Sequence, residues 1–266
     1  GGLFSVIGGG AYIHDLTVQV GNVRVNNNAG NANFGTIAGA ASGNATIDNV
    51  YISLNKDSSS NNDTYLSSQG TSWLGGVLGK LDTSGTVEIK NTTVYNSAEG
   101  SNGFSATINK SNGVYVGGFV GSIDKGSLKM TNVVYKADAN AKISAIAINS
   151  TGWFDGDNMT FVGGILGYHN EGSFELDGCI IDAAITLNSG FRTVNGDTAH
   201  AGYILGQVDS NLNDTWSSIY MNSSNGTTWL DGNNETRGTA VRYDKSVFAD
   251  IRFADGEKVA VAVGKQ

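Results

Sequence analysis

One six-residue block returns along the whole chain. Leu74-Gly75-Gly76-Val77-Leu78-Gly79, Val116-Gly117-Gly118-Phe119-Val120-Gly121 and Val162-Gly163-Gly164-Ile165-Leu166-Gly167 are close copies. Phe34-Gly35-Thr36-Ile37-Ala38-Gly39 and Ala201-Gly202-Tyr203-Ile204-Leu205-Gly206 are looser ones, and the chain opens inside another, Gly1-Gly2-Leu3-Phe4-Ser5. Their first glycines stand at positions 1, 35, 75, 117, 163 and 202, a period of roughly 40 residues that marks a repeat array. A single copy read alone looks like a phosphate loop. That loop needs a strand before it, a helix N-terminus after it and usually a Lys. β-type segments follow every copy here, so the glycines read as structural, allowing tight bends and close approach of neighbouring backbones.

A second block follows the first. Gly43 to Ile52, Gly85 to Val94, Gly126 to Tyr135 and Gly172 to Ile181 share the order Gly-x-Φ-x-Φ-x-Asn/Gly, where Φ is apolar, and Ile13-His14-Asp15-Leu16-Thr17-Val18 is the first instance. Alternation in Leu128-Lys129-Met130 and Phe174-Glu175-Leu176 has period two, which predicts strands with one buried face. The shared Asn49, Asn91, Asn132 and Gly178 mark a bend, because both residue types tolerate positive φ, and stacked Asn side chains can hydrogen-bond to one another. Each repeat then reads as two short strands, a bend, a third strand and a variable polar return segment. Such a unit buries its apolar face only against its neighbours. The expected fold is all-β: a β-solenoid or β-helix, or stacked β-hoops, of about six repeats of roughly 40 residues. A stack of hairpins gives a similar pattern.

The two blocks together resemble the GLUG-type repeat of large bacterial and archaeal surface proteins, over residues 1 to about 221. More distantly, the style resembles archaeal sheath and surface-layer proteins. The resemblance implies adhesin passengers, stalks and cell-envelope proteins, and for the sheath proteins stacked β-hoops forming an extracellular tube or coat.

After Gly206 the second block is missing, and residues 211 to 239 are polar, with Trp216 and Trp229. A different pattern closes the chain. Val247, Ala249, Ile251 and Phe253 alternate, Asp255-Gly256 is a hairpin signal, and Val259, Val261 and Val263 alternate again. Residues 1–243 thus form the repeat domain, and 244–266 a hairpin that is a cap or an assembly strand. Val247, Ile251, Phe253, Val259, Val261 and Val263 are the candidate assembly edge, and the chain has no Pro to blunt such an edge.

Charge narrows the partners. Charged residues are 15 % of the chain, against about 25 % in ordinary globular proteins, and the formal net charge is −8. That disfavours nucleic acid and anionic membranes, which need clustered Lys or Arg. No apolar run of about 18 residues is present to make a membrane helix. The start Gly1-Gly2-Leu3, without Met, fits a processed product or an excised fragment. Sequons at Asn44, Asn62, Asn91, Asn109, Asn149, Asn158, Asn213, Asn222, Asn225 and Asn234 are candidate glycosylation sites in a secreted chain.

The chemical candidates are sparse. Asp155, Asp157, Asp177 and Asp182 are the densest acidic set and Arg192 the nearest Arg, but no carboxylate pair recurs at a catalytic spacing, so a polysaccharide lyase or hydrolase is the remote reading. His14, His169 and His200 fall in different repeats and read as surface or turn residues. No cofactor is expected. Calcium is the weak alternative, in Asp155-Gly156-Asp157-Asn158 or Asp231-Gly232-Asn233-Asn234, which lack the full loop pattern. Trp73 and Trp153 read as covers for the ends of the core, or else as sugar platforms with Trp216 and Trp229. Cys179 stands where other repeats have Val50, Thr92 and Val133, and reads as a buried structural thiol; the other reading is an intermolecular disulfide. The function these features favour is an extracellular structural protein, polymerising with itself into a sheath, layer or filament at the cell surface or envelope. The alternative is an adhesive stalk that binds glycans or other surface proteins.

Overall fold

The computed structural model describes residues 1–27, 30–54, 64–97, 104–108, 113–137, 141–147, 159–187, 198–202, 204–208 and 214–221. These residues are all-β, without a helix. The first passage of the chain is β1 (Phe4–Ile7), β2 (Ala11–Val20), β3 (Val23–Asn27) and β4 (Ala32–Gly35). The next is β5 (Ala38–Ala41), β6 (Ala45–Leu54), β7 (Thr64–Ser68) and β8 (Ser72–Gly75). In the two central passages the first pair of strands runs on as one: β9 (Leu78–Asn96), β10 (Phe104–Ile108) and β11 (Gly113–Gly117), then β12 (Val120–Ala137), β13 (Lys142–Ala147) and β14 (Met159–Gly163). There follow β15 (Leu166–His169), β16 (Ser173–Asp182), β17 (Ala184–Leu187), β18 (Thr198–Gly202), β19 (Leu205–Val208) and β20 (Thr215–Met221).

Every strand pairs in parallel with its counterpart one passage away, which makes three parallel sheets. One runs β1-β5-β9-β12-β15-β19 and is joined by β2, β6, β16 and β20; the others run β3-β7-β10-β13-β17 and β4-β8-β11-β14-β18. This arrangement is consistent with a β-helix. The hairpin stack is not what the chain forms, because a hairpin pairs antiparallel.

Register carries the core. Phe4, Ala38, Leu78, Val120 and Leu166 fall in one row across the first sheet. Ile13, Ile47, Ile89, Met130 and Leu176 fall in another. Phe104 and Ile143 of the second sheet and Val116 and Val162 of the third close the same core from the other sides. The inner side chains of the central passages are wholly shielded from solvent. The outer faces of β9, β12 and β16 keep exposed polar side chains such as Glu88, Lys129 and Glu175, whereas Ala38–Ala41 and Gly113–Gly117 are buried at every position.

Three sequence expectations change. The glycine block is not one strand. Val116-Gly117 ends β11, Gly118-Phe119 turns the corner, and Val120-Gly121 begins β12. The return segment carries strands of its own, β3, β7, β10, β13 and β17. The second block is not missing after Gly206, since β20 pairs with β16 in its place. Residues 244–266, including Val247, Ile251, Phe253, Val259, Val261 and Val263, lie outside the described residues.

The bend behaves as its residue types require. Asp15, Asn49, Asn91 and Asn132 have φ of 53°, 51°, 50° and 55°, and Gly178 follows at 76°. The Asn132 amide donates to Asn91 Oδ1 at 2.8 Å, the Asn91 amide to Asp48 Oδ1 at 2.9 Å, and the Asn49 amide to Asp15 Oδ1. The side chains thus bond to one another along the ladder, up to Asn132 Oδ1, which is buried without a partner, while the backbone occupies the left-handed region. That region costs an ordinary residue about 1–2 kcal/mol. Asn91→Ala is therefore expected to lose more stability than Asn91→Gly, by about 1–2 kcal/mol in urea denaturation. Equal losses would show that the left-handed bend contributes nothing.

Candidate functional site

Among the described residues the core is closed along its sides, and its rows become more exposed at both ends of the described stack. β1, β2, β3 and β4 each pair on one side only among the described residues. Phe4 is 47 % exposed where Leu78, Val120 and Leu166 are at 0 %, and Leu3, which continues the row of Ile37, Val77 and Phe119, is 54 % exposed. Ala11, Ile13, Leu16, Val18, Val23 and Val25 are partly buried members of the same end. Val6 and Tyr12 add exposed apolar surface on the outer side. Natural sheet edges are usually blunted by Lys, Pro or a bulge. Residues 1 to 35 contain no Lys or Pro, and their charged residues are Asp15 and Arg24. The edge of β2 is ten residues long.

A second feature lies on the outer side of the third sheet. Asn33, Trp73, Tyr115, Phe161 and His200 share one register row. The Tyr115 ring stacks on Phe161 at 5.7 Å between centroids and on Tyr168 at 4.9 Å, and Trp73 leans against Tyr115 at 6.4 Å. Lys80 Nζ sits 4.7 Å from the Trp73 centroid and also pairs with Asp82 at 3.3 Å and Asp124 at 3.5 Å. Burial pushes the Tyr115 hydroxyl upward, and Tyr168 and Asp124 add to the shift. The ring faces are taken up by one another, with Tyr115 and Phe161 6 % and 2 % exposed. The cluster ties successive passages together outside the core. Trp73 thus stands on an outer row and does not cover the end of the core. Trp216 does that: it follows Leu176 in register and is 44 % exposed.

The remaining candidates are scattered. Asp177 accepts a hydrogen bond from Ser217 at 2.6 Å on the outer side of β16, and Asp182 ends that strand half-buried. Asp155, Asp157, Arg192, Trp153, Trp229 and both proposed calcium turns lie outside the described residues. Among the described residues no three His, Cys, Asp or Glu side chains come together as a metal group would require. Cys179 is buried in the core, and its burial raises the thiol well above its ordinary value. Of the sequons, Asn91 holds the bend ladder and Asn44 accepts from the Thr86 backbone N–H at 2.8 Å. Asn62, Asn109, Asn149, Asn158, Asn213, Asn222, Asn225 and Asn234 lie outside the described residues. His14 stacks on Tyr12 at 4.3 Å and is exposed, as read from sequence. His169 overturns that reading: its side chain is fully buried, 2.7 Å from Asp214. The side chain of His200 lies outside the described set.

Comparison with known proteins leaves these features to stand alone. No protein-family model, no curated protein and no solved structure matches the chain.

Proposed function

We propose that the chain is a β-solenoid of about six repeats of roughly 40 residues, acting as an extracellular structural protein. It assembles through its β-edges and lateral contacts into a sheath, layer or filament at the cell surface. The observation that carries this is the stack itself: every described strand pairs in parallel with its counterpart one passage away. Leu3 and Phe4 continue rows that are fully buried at Ile37, Val77 and Phe119 and at Ala38, Leu78 and Val120, on strands with almost no charge to discourage pairing. A parallel edge in register is completed by another layer of the same kind, as in strand addition. Sparse charge and the resemblance to repeat-built surface proteins agree with a mechanical role and an extracellular setting. The adhesive stalk remains the rival. The one described aromatic cluster gives it little, because its ring faces are already packed against each other.

Sedimentation velocity and negative-stain microscopy over a concentration series test the reading. The wild-type chain is expected to form rods or fibres that lengthen with concentration. The triple variant Leu3→Lys, Phe4→Lys, Val6→Lys is expected to stay monomeric with an unchanged far-ultraviolet spectrum, since each replaced side chain is about half exposed. A strictly monomeric wild type, or a variant that assembles as well as it does, would overturn assembly through the β1 edge.

A further inference from the structure

Two ionisable side chains meet inside an otherwise apolar core. His169 belongs to the row Ile7, Ala41, Leu81, Ile123, and Val208 follows it in register. Asp214, the residue before β20, follows Ala11, Ala45, Val87, Leu128 and Phe174 by the same register. Each row is apolar until it becomes polar once, and the two exceptions are in contact. His169 Nδ1 lies 2.7 Å from Asp214 Oδ1, with side chains 0 % and 5 % exposed. The approach is off the hydrogen-bond line, and neither ring nitrogen nor either carboxylate oxygen has another hydrogen-bond partner. Buried polar atoms left this way are uncommon and call for a reason.

We propose that His169 and Asp214 form an acid-sensitive clasp that holds β20 onto β16, so that the C-terminal end of the described stack opens on acidification while the central passages stay folded. The contact bridges β15 to the start of the following passage, so it acts on that junction alone. A carboxylate facing an imidazolium, or facing a neutral ring that presents its Nδ1–H, leaves no unpaired positive charge in the core. Protonating the carboxylate leaves the imidazolium in apolar surroundings with no counter-charge, which burial makes costly. The clasp is therefore closed with the Asp214 carboxylate ionised and opens once acid protonates it. Among the described residues, the other titratable side chains pointing into this core are Tyr135 of β12 and Cys179 of β16, and burial raises both, so they stay neutral on the acid side. Asp124, Lys125, Lys129 and Lys136 on β12, Tyr168 on β15, Glu171 in the turn after it, and Glu175, Asp177 and Asp182 on β16 are exposed or half-buried on the outer side.

Hydrogen exchange followed by mass spectrometry tests this on the intact chain, at neutral pH and in a series of increasingly acidic buffers, corrected for intrinsic exchange rates. Peptides covering 214–221 are expected to lose protection at acid pH, while peptides covering 120–137 keep theirs. The double variant His169→Leu, Asp214→Leu restores the apolar rows and is expected to keep 214–221 protected throughout the series. His169→Leu alone is expected to reverse the sign, with weak protection at neutral pH that recovers on acidification, which a purely structural role does not predict. The clasp is overturned by a wild type whose 214–221 protection is unaffected by pH or falls in step with 120–137, or by a double variant that still loses it in acid. Those arms decide the matter even where the single variant does not fold.

Discussion

Gly118→Ala is expected to abolish folding or to cost more than about 4 kcal/mol, the range reserved for severe, mechanistically specific substitutions. The added methyl would overlap the carbonyl oxygen of Gly164 and stand 2.7 Å from Tyr135 Cδ2. Neither obstacle can retreat. The Gly118 N–H donates to Gly163 O at 3.1 Å and the Phe119 N–H to Ile165 O at 3.0 Å, so moving Gly164 away breaks the ladder that sets the spacing. On the opposite side the Val77 N–H donates to Phe119 O at 2.9 Å, so the corner cannot shift the other way. The Tyr135 ring is fully buried and packed against Phe119. The same constraint recurs at Gly75 and Gly117, where a methyl would stand 2.7 Å from the carbonyl oxygens of Phe119 and Ile165. Gly21 has nothing within 4 Å of the equivalent position, so Gly21→Ala is expected to stay within about 0.5 kcal/mol of wild type. Urea denaturation of the two variants gives the comparison. A Gly118→Ala protein as stable as Gly21→Ala would mean that the glycine corners are not what spaces the passages.

The first and last glycines of the block, as at Gly117 and Gly121, were the most legible feature of the sequence, because a steric requirement leaves one residue type and repeats it, whereas the position of Gly118 holds Thr36 and Tyr203 in the looser copies. The bend was legible for the same reason: Asn49, Asn91, Asn132 and Gly178 are residues that accept positive φ, and they adopt it. The second sheet was not legible. In Thr64-Tyr65-Leu66-Ser67-Ser68 or Phe104-Ser105-Ala106 the strand is fixed by parallel neighbours on both sides, and small polar residues suffice where the partner passage supplies the ladder. Composition alone therefore reads as loop. His169 was hidden differently. Its buried position is visible only once the row Ile7, Ala41, Leu81, Ile123 is aligned across passages, and its partner Asp214 lies where the repeat pattern had faded. Aligning Thr215-Trp216-Ser217 with Glu175-Leu176-Asp177 was the available signal, and the missing glycine before it concealed the match.

Phe119→Ala is expected to divide the proposed solenoid into two weakly coupled halves. Phe119 is the one aromatic member of the row Leu3, Ile37, Val77, Phe119, Ile165 and Ile204, and it is wholly buried with its ring edge-on to Tyr135 at 6.4 Å between centroids. Truncating a buried Phe to Ala typically costs about 3–5 kcal/mol, the larger part where the surroundings cannot collapse. Collapse is obstructed here, because the backbone spacing of adjacent passages is set by ladder hydrogen bonds and glycine contacts rather than by side-chain volume. In a stack where each unit touches only its neighbours, stability is close to a sum of unit and interface contributions. A central cavity then weakens one interface and leaves the others intact. The expected result is a loss of about 3–5 kcal/mol in the central transition, together with a broadened or biphasic urea curve of lower slope. Hydrogen exchange should place the first opening at β9 and β12, with β2 and β6 remaining protected. Phe119→Leu should recover most of the loss by refilling the space. A single sharp transition with undiminished slope would show instead that the described passages unfold as one unit, and that the coupling between them reaches beyond nearest neighbours.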